Sequence, residues 1–175
     1  MPALLQSDID IANPIRCIIA DVDGVMTDGR IIYDNNGIET KAFHVRDGLA
    51  IKLWMESGFQ FGILTSRQSE VVAKRAAELG IEHVQQGHAK KMDAAKAMLK
   101  SFDCTPQQAC YIGDDLPDMP VMQSVALTAD PGDSAVYVRE LANWVIRSHG
   151  GQGALRQLIE RLLRAKNRWE EHLPV

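Results

Sequence analysis

The amino-acid sequence predicts an α/β fold in which helices flank a parallel β-sheet and a β-hairpin is inserted after the first strand. Short apolar runs alternate along the chain with segments of helical periodicity, a pattern typical of parallel sheets. The turn-forming sequence Asp34-Asn35-Asn36-Gly37 then breaks this alternation between two extended stretches. With 175 residues, 46% of them apolar, the chain is long enough to form a core.

The apolar runs are the predicted strands of the sheet. In chain order they are 17–20, 59–64, 81–84, 109–112, 125–127 and 144–146. The segments with helical patterns are predicted helices: 47–57, 69–79, 90–102, 116–123 and 154–169. Asp47 and Ser69 are predicted N-caps, and Gly80 is a predicted C-cap. The last helix carries its apolar residues on one face: Leu155, Leu158, Ile159, Leu162 and Leu163.

The predicted hairpin spans residues 29–44, with arms at 30–33 and 38–44. Because it directly follows the first strand, we expect it to overhang the carboxyl ends of the strands. A hairpin standing alone would leave Ile31, Ile32, Ile38 and Phe43 poorly covered. Packing of such hairpins around a symmetry axis would bury these residues, which predicts a closed oligomer.

Composition and the chain ends narrow the class of protein. We predict one domain, residues 1–175, with an N-terminal extension at 1–13 and a glycine-rich tail and C-terminal helix at 148–175. The net charge of -4 gives no reason to expect nucleic-acid binding. No apolar run is long enough to span a bilayer, and the acidic start lacks the pattern of a signal peptide. The three cysteines are predicted free thiols, and the predicted location is cytoplasmic.

Polar residues follow three of the predicted strands. They are Asp21 to Gly24 after the first strand, Thr65, Ser66 and Arg67 after the second, and Gly113, Asp114, Asp115 and Asp118 after the strand at 109–112. Ligands of open α/β sheets bind beyond the carboxyl ends of the strands. We therefore expect these residues to line one site.

The acidic residues of this set predict a metal ion. Asp21, Asp23 and Asp114 would crowd together at adjacent strand ends, and like-charged carboxylates resist ionising side by side. A hard cation removes the conflict, and oxygen ligands favour Mg²⁺, which completes its shell with water and phosphate. An Asp-X-Asp sequence by itself is more typical of a solvated turn or a helix cap. The combination of three polar strand ends favours the site.

A phosphate site also needs donors and positive charge. Thr65 and Ser66 offer hydroxyl and backbone N–H groups at a predicted helix start. Lys91 lies near the start of another predicted helix and would neutralise phosphoryl charge, with Lys90 as a rival for the role. In isolation, a lysine is more typical of solvated surface.

These residues resemble, in order, the four motifs of the haloacid dehalogenase (HAD) superfamily: Asp21 to Val25, Thr65 to Arg67, Lys91, and Gly113 to Asp118. The stretches DVDGVMTDGRIIYDNNG, KAFHVRDGLAIKLW and GGQGALRQLIE further resemble the family of 3-deoxy-D-manno-octulosonate 8-phosphate (KDO 8-phosphate) phosphatases. That resemblance implies a Rossmann-like HAD fold without a large cap domain. It also implies a homotetramer whose neighbouring subunits help to close each active site.

The resemblance implies a role for each motif residue. Asp21 would be the nucleophile that forms an aspartyl-phosphate, and Asp23 the general acid and then base. The Asp21 carboxylate, the Asp23 backbone carbonyl and Asp114 would hold Mg²⁺. Thr65, Ser66 and Lys91 would bind phosphoryl oxygens.

Other residues would support the metal site or contact the sugar. Asp115 and Asp118 would orient the loop and a metal-bound water. Arg67 and Arg46 are candidates for binding a substrate carboxylate, because the guanidinium fork binds both oxygens.

His44 and Asp47 are further candidates for substrate contact, each with a structural role as the alternative. The glycine-rich tail is either a flexible link or, as in the family, reaches a neighbouring site with Arg156. Ser66 and Ala50 stand where related sequences often have glycine.

Three functions remain open from the sequence. The first is hydrolysis of KDO 8-phosphate, a step towards bacterial lipopolysaccharide. The second is hydrolysis of another sugar acid phosphate such as KDN 9-phosphate, which offers the same phosphate, carboxylate and polyol. The third is sugar-phosphate binding without catalysis, because fold does not fix function. The presence of Asp21, Asp23, Thr65, Lys91 and Asp114 together favours an enzyme.

Overall fold

A computed structural model describes residues 6–174 and contains eight strands in that range. They are β1 (Cys17–Ala20), β2 (Ile32–Tyr33), β3 (Glu39–Thr40), β4 (Gln60–Leu64), β5 (His83–Gln85), β6 (Ala109–Ile112), β7 (Leu127–Asp130) and β8 (Trp144–Val145). Six of them form one sheet in the order β5-β4-β1-β6-β7-β8, and every pair in that sheet is parallel. The predicted fold class is confirmed.

A helix lies in every connection of the six-stranded sheet, one more helix precedes β1, and another follows β8. They are α1 (Gln6–Ala12), α2 (Val45–Glu56), α3 (Glu70–Leu79), α4 (Lys91–Ser101), α5 (Met119–Met122), α6 (Val136–Leu141) and α7 (Ala154–Ala165). Single 3₁₀ turns occur at Pro106–Gln108, Leu116–Asp118 and Glu170–His172. No helix among residues 6–174 is both long and apolar enough to cross a membrane.

Strand β1 lies in the middle of the sheet and is buried along its whole length. Its side chains alternate between two cores, as the two-residue period of a strand requires. Ile18 and Ala20 join the core beneath α2 and α7, whereas Cys17 and Ile19 join the core beneath α4 and α5. All the apolar residues predicted for one face of the last helix are buried in the first of these cores.

Several predicted boundaries were wrong for physical reasons. The strand predicted at 125–127 lies at Leu127–Asp130, where buried Thr128 satisfies its hydroxyl by donating to the Leu141 carbonyl at 2.9 Å. The helix predicted at 47–57 begins at Val45, because His44 is its N-cap. The segment 116–123 is a 3₁₀ turn followed by the short α5. The last helix ends at Ala165 instead of 169, and helices α1 and α6 were not predicted.

The predicted hairpin is confirmed, with shorter arms. Strands β2 and β3 pair antiparallel, and the Asp34 carboxylate closes the turn by accepting from the N–H groups of Asn36 and Ile38, each at 2.8 Å. The hairpin presents a set of exposed apolar side chains: Ile31, Ile32, Tyr33 and Ile38. Phe43 differs from the prediction, because it is half-buried against the core with the Arg75 guanidinium 5.7 Å from its ring centre.

Candidate active site

The polar residues predicted from the strand ends meet beyond the central strands. Asp21 directly follows β1, and its backbone N–H donates to the Ile112 carbonyl of β6 at 3.0 Å. Thr65 follows β4, where its N–H donates to the Gln85 carbonyl at 3.0 Å. Because β4 and β6 pair with β1 on opposite sides, residues after all three strands face one space.

Three carboxylates form the centre of the site. Ligand atoms of Asp21, Asp114 and Asp118 all lie within 4.8 Å of one another. Gly24 makes this arrangement possible, because a Cβ at that position would overlap the Asp114 carboxylate. Its φ of 88° is also a conformation that glycine adopts without strain. The glycine after Asp23 therefore lets the two acidic loops approach each other.

Asp118 is already saturated by donors from the protein. Its Oδ1 accepts from Lys91 Nζ at 2.6 Å and from the Tyr111 hydroxyl at 2.5 Å. Its Oδ2 accepts from the backbone N–H groups of Asp114 at 3.0 Å and Asp115 at 3.2 Å. Asp118 is fully buried, so these bonds replace the water that a carboxylate would otherwise need. The geometry suits the predicted role of orienting the loop, and the contact with Lys91 Nζ also holds that side chain in place.

The charges of the cluster shift the pKa values of Asp21, Asp114 and Lys91. Burial and the Asp118 charge raise the pKa of Asp21 to about 6, against the opposing effect of Lys91. Burial, Asp21, Asp118 and Asp115 raise the pKa of Asp114 to about 8. Burial lowers the pKa of Lys91, but the adjacent Asp21 and Asp118 outweigh it, and the net change is upward. The buried site is thus short of positive charge.

A divalent cation fits this deficit. Asp21 Oδ1 is buried, lies 2.9 Å from Lys91 Nζ, and accepts no aligned hydrogen bond from the described residues. Asp114 is half-buried and has no cation of its own among the ion pairs of residues 6–174. The donors are all oxygens, which match Mg²⁺. Asp21 and Asp114 are the carboxylates with capacity for the ion, since Asp118 is committed to protein donors.

The predicted phosphate-binding residues border the same space. Lys91 is buried between Asp21 and Asp118. Thr65 is buried, and within residues 6–174 its Oγ1 accepts just one long hydrogen bond, 3.4 Å, from the Arg67 N–H. Ser66 Oγ is buried and meets no partner within the described part of the chain. Two hydroxyls and an ammonium group are therefore placed to receive an anion. Lys90, the rival to Lys91, is exposed at the N-cap of α4.

The Asp23 side chain lies outside the carboxylate trio. Its Oδ1 accepts from Lys41 Nζ, and its Oδ2 lies 3.7 Å from Arg67 Nε. Sequence reasoning missed Lys41, whose side chain is only 1% exposed. The available signal was its place at the start of KAFHVRDGLAIKLW, one of the stretches that carry the family resemblance.

The structure separates the candidates for substrate contact. Arg67 is 40% exposed at the mouth of the site, where it donates to the Tyr33 hydroxyl at 2.9 Å and to Glu39 Oε1 at 3.2 Å. These residues border a cavity of about 320 Å³ between the hairpin and the start of α3. Arg46 is exposed on the first turn of α2. His44 caps that helix by accepting from the Arg46 N–H at 3.3 Å.

The prediction that Asp47 caps its own helix is wrong. Asp47 is buried, and its carboxylate accepts from the backbone N–H of Gly153 at 3.3 Å and of Arg156 at 2.7 Å. It therefore caps α7, a helix more than a hundred residues further along the chain. Both carboxylate oxygens are engaged in this cap, and substrate contact by Asp47 stays a prediction.

The glycine-rich tail is not a flexible link. The Gly151 N–H donates to the Val25 carbonyl at 3.0 Å, and a Cβ on Gly150 would overlap the Gly24 carbonyl. The segment is therefore packed against the loop that follows Asp23 in its own chain. The Arg156 side chain pairs with Glu160 at 3.1 Å and lies over the Trp169 ring.

Comparisons with known proteins identify the wider group. No protein-family model matches the chain. The chain is 41% identical over 162 residues to the KDO 8-phosphate phosphatase KdsC of Yersinia pestis, covering 93% of this chain and 87% of that protein. A subfamily III A hydrolase of the HAD superfamily from Legionella pneumophila superposes with a TM-score of 0.91 at 41% identity, over 93% of this chain and 89% of that one. The KDO 8-phosphate phosphatase of Moraxella catarrhalis was solved with magnesium, phosphate and KDO. It superposes with a TM-score of 0.92 at 34% identity, over 96% of this chain and 97% of that one.

The parallel sheet, the position of Asp21 after its central strand and the acidic loop after β6 define a hydrolase of the HAD superfamily. Within that superfamily, the chain belongs to the KDO 8-phosphate phosphatase (KdsC) family.

Proposed function

We propose that this protein hydrolyses KDO 8-phosphate to KDO and inorganic phosphate, in the supply of lipopolysaccharide precursors. The observation that carries the proposal is the buried cluster of Asp21, Asp114 and Lys91 at the end of the central strand. The cluster combines a carboxylate nucleophile, a place for a cation and a phosphate-binding amine. Membership of the KdsC family supplies the substrate. The intact cluster also argues against the alternative of sugar-phosphate binding without catalysis.

In the first step, we assign Asp21 as the nucleophile. A bond forms between an Asp21 oxygen and phosphorus, while the bond from phosphorus to the sugar oxygen breaks. The electron pair of that bond leaves on the sugar oxygen, which takes a proton from Asp23. The products of this step are free KDO and an aspartyl-phosphate.

In the second step, Asp23 acts as the base. Water attacks the phosphorus of the aspartyl-phosphate and gives a proton to the Asp23 carboxylate. The bond between phosphorus and the Asp21 oxygen breaks, which restores the Asp21 carboxylate and releases phosphate. Asp23 ends the cycle protonated, as it began.

The remaining residues stabilise the transferred phosphoryl group. Lys91 and the hydroxyls of Thr65 and Ser66 would bind its oxygens, and Asp118 keeps Lys91 in place. Mg²⁺, held by the Asp21 carboxylate, the Asp23 carbonyl and Asp114, would supply further positive charge to the same oxygens. Arg67, at the mouth of the site, is the residue that we assign to the sugar carboxylate, with Arg46 as a second candidate.

We also propose that the protein is a cytoplasmic homotetramer. The exposed hairpin side chains Ile31, Ile32, Tyr33 and Ile38 form an apolar surface that a closed assembly would bury. The free thiols of Cys17, Cys104 and Cys110 accord with a reducing compartment.

The test is release of inorganic phosphate from KDO 8-phosphate and from KDN 9-phosphate, each with Mg²⁺ and with EDTA. We expect kcat/KM to be higher for KDO 8-phosphate and release from both substrates to stop in EDTA. A higher kcat/KM for KDN 9-phosphate would contradict the proposed substrate. Release that persists in EDTA would contradict the proposed metal.

A further inference from the structure

We propose that Lys41 is a positioning residue, which aims the Asp23 carboxylate at the leaving oxygen of the substrate; the inference rests on the proposed function. Lys41 follows β3 on the return arm of the hairpin, while Asp23 lies in the loop after β1. The Lys41 side chain is 1% exposed, and that of Asp23 is 18% exposed. The hairpin thus places a buried cation, Lys41, beside Asp23, the residue that we assign as general acid and base.

Burial of a lysine side chain costs free energy unless acidic partners compensate its charge. An ammonium group loses its hydration on burial and must recover it through charge and hydrogen bonds. Lys41 Nζ donates to Asp23 Oδ1 and lies 3.5 Å from Glu39 Oε1. Both partners are acidic, so the charge of the amine is compensated within the site. The contact leaves the other Asp23 oxygen facing Arg67 Nε at 3.7 Å.

A second layer of contacts fixes Lys41 in turn. Glu39 accepts from the Ser69 hydroxyl and from Arg67 Nη2 at 3.2 Å. Ser69 is also the N-cap of α3, accepting from the Val72 N–H at 3.4 Å. The amine that holds Asp23 is therefore tied through Glu39 to the start of a rigid helix. A general acid must lie within hydrogen-bond reach of the oxygen it protonates, and small misplacements cost about 100-fold in rate.

Leaving-group chemistry separates positioning from simple structural support. A sugar oxygen is strongly basic and needs a proton as it leaves, whereas nitrophenolate departs without one. The quantity kcat/KM reports the steps up to that departure.

Lys41→Met should lower kcat/KM for KDO 8-phosphate by about 100-fold and should change kcat/KM for p-nitrophenyl phosphate little. Lys41→Arg, which keeps the cation, should recover part of the loss. Exposed Lys52→Met is the matched control.

A double-mutant cycle with Asp23→Asn completes the test, with phenyl phosphate as a second substrate that has a poor leaving group. If Lys41 acts through Asp23, adding Lys41→Met to Asp23→Asn costs nothing further on either poor substrate. Equal losses on good and poor leaving groups, or additive losses in the cycle, would overturn the proposal. If Lys41→Met does not fold, Lys41→Gln is compared in the same cycle. Wild-type inactivity on KDO 8-phosphate bears only on the proposed function, because the aryl phosphates still test Lys41.

Discussion

At the scale of single residues, the site is a set of carboxylates with too few cations. Asp21, Asp23, Asp114, Asp115 and Asp118 were all predictable from the sequence, because each follows a strand that ends at the same edge of the sheet. The contacts of two other residues could not be predicted from the sequence. Lys41 meets Asp23 across 18 residues, and Asp47 meets Gly153 across 106. No local pattern encodes such pairs, since they depend on how the hairpin and the last helix dock.

The raised pKa values of Asp21 and Asp114 predict a pH-dependent affinity for Mg²⁺. In the metal-free protein, both groups hold protons to higher pH than an ordinary aspartate, about 6 for Asp21 and about 8 for Asp114. The ion must displace those protons, so its affinity should rise as the pH rises from about 6 to about 8. The free energy of unfolding of the metal-free protein should fall as the pH rises from about 4 to about 6 for Asp21 and to about 8 for Asp114, because over those ranges the unfolded chain has released protons that the folded state still holds. Calorimetric titration in buffers of different ionisation enthalpy measures the proton release, and an affinity independent of pH would contradict the account.

At the scale of elements, the site lies at the carboxyl end of β1, and α2 and the glycines before α7 hold the loop after Asp23 in place. Helix α2 supplies Asp47 to the start of α7, and the glycines before α7 pack against the loop after Asp23. The sequence predicted most elements because their periodicity is strong, as in α7, whose apolar face is fully buried. It misplaced β7 because the apolar criterion stopped at Thr128, a polar residue that is buried with its hydrogen bonds satisfied.

Asp47 tests the link between α2 and α7. Replacement by alanine removes the acceptor for two backbone N–H groups at the start of α7. We expect Asp47→Ala to lower the free energy of unfolding by about 1–2 kcal/mol, the usual cost of losing an N-cap. Asp47→Asn should retain most of it, because asparagine caps as well as aspartate does. Urea unfolding followed by circular dichroism measures both variants. Equal losses would show that charge matters more than capping.

At the scale of the whole molecule, the hairpin is the feature that a single chain leaves incomplete. Its side chains Ile31, Ile32, Tyr33 and Ile38 are between 41% and 61% exposed, although the hairpin also supplies Lys41 and Glu39 to the site. The same element thus faces both the active site and the proposed subunit contact. Assembly would hold the hairpin in place beside Asp23.

The double variant Ile32→Asp with Ile38→Asp should dissociate the proposed tetramer. Two carboxylates on this apolar surface would have to be desolvated for the subunits to pack. We expect light scattering to give the mass of a tetramer for the wild type and of a monomer for the variant, with the circular dichroism unchanged. Val136→Asp alters an exposed apolar side chain elsewhere and should leave the mass unchanged. A wild type that is monomeric would contradict the proposed assembly.

The most direct test of the central claim is the rate of phosphate release from KDO 8-phosphate by wild type and by Asp21→Asn, both with saturating Mg²⁺. Asparagine keeps the size of the side chain but is a poor nucleophile, and we expect the rate to fall by at least about 1,000-fold. Asp103→Asn, an exposed change outside the site, should retain the wild-type rate. If Asp21→Asn hydrolyses KDO 8-phosphate at a rate near that of the wild type, Asp21 is not the nucleophile and the proposed mechanism is wrong.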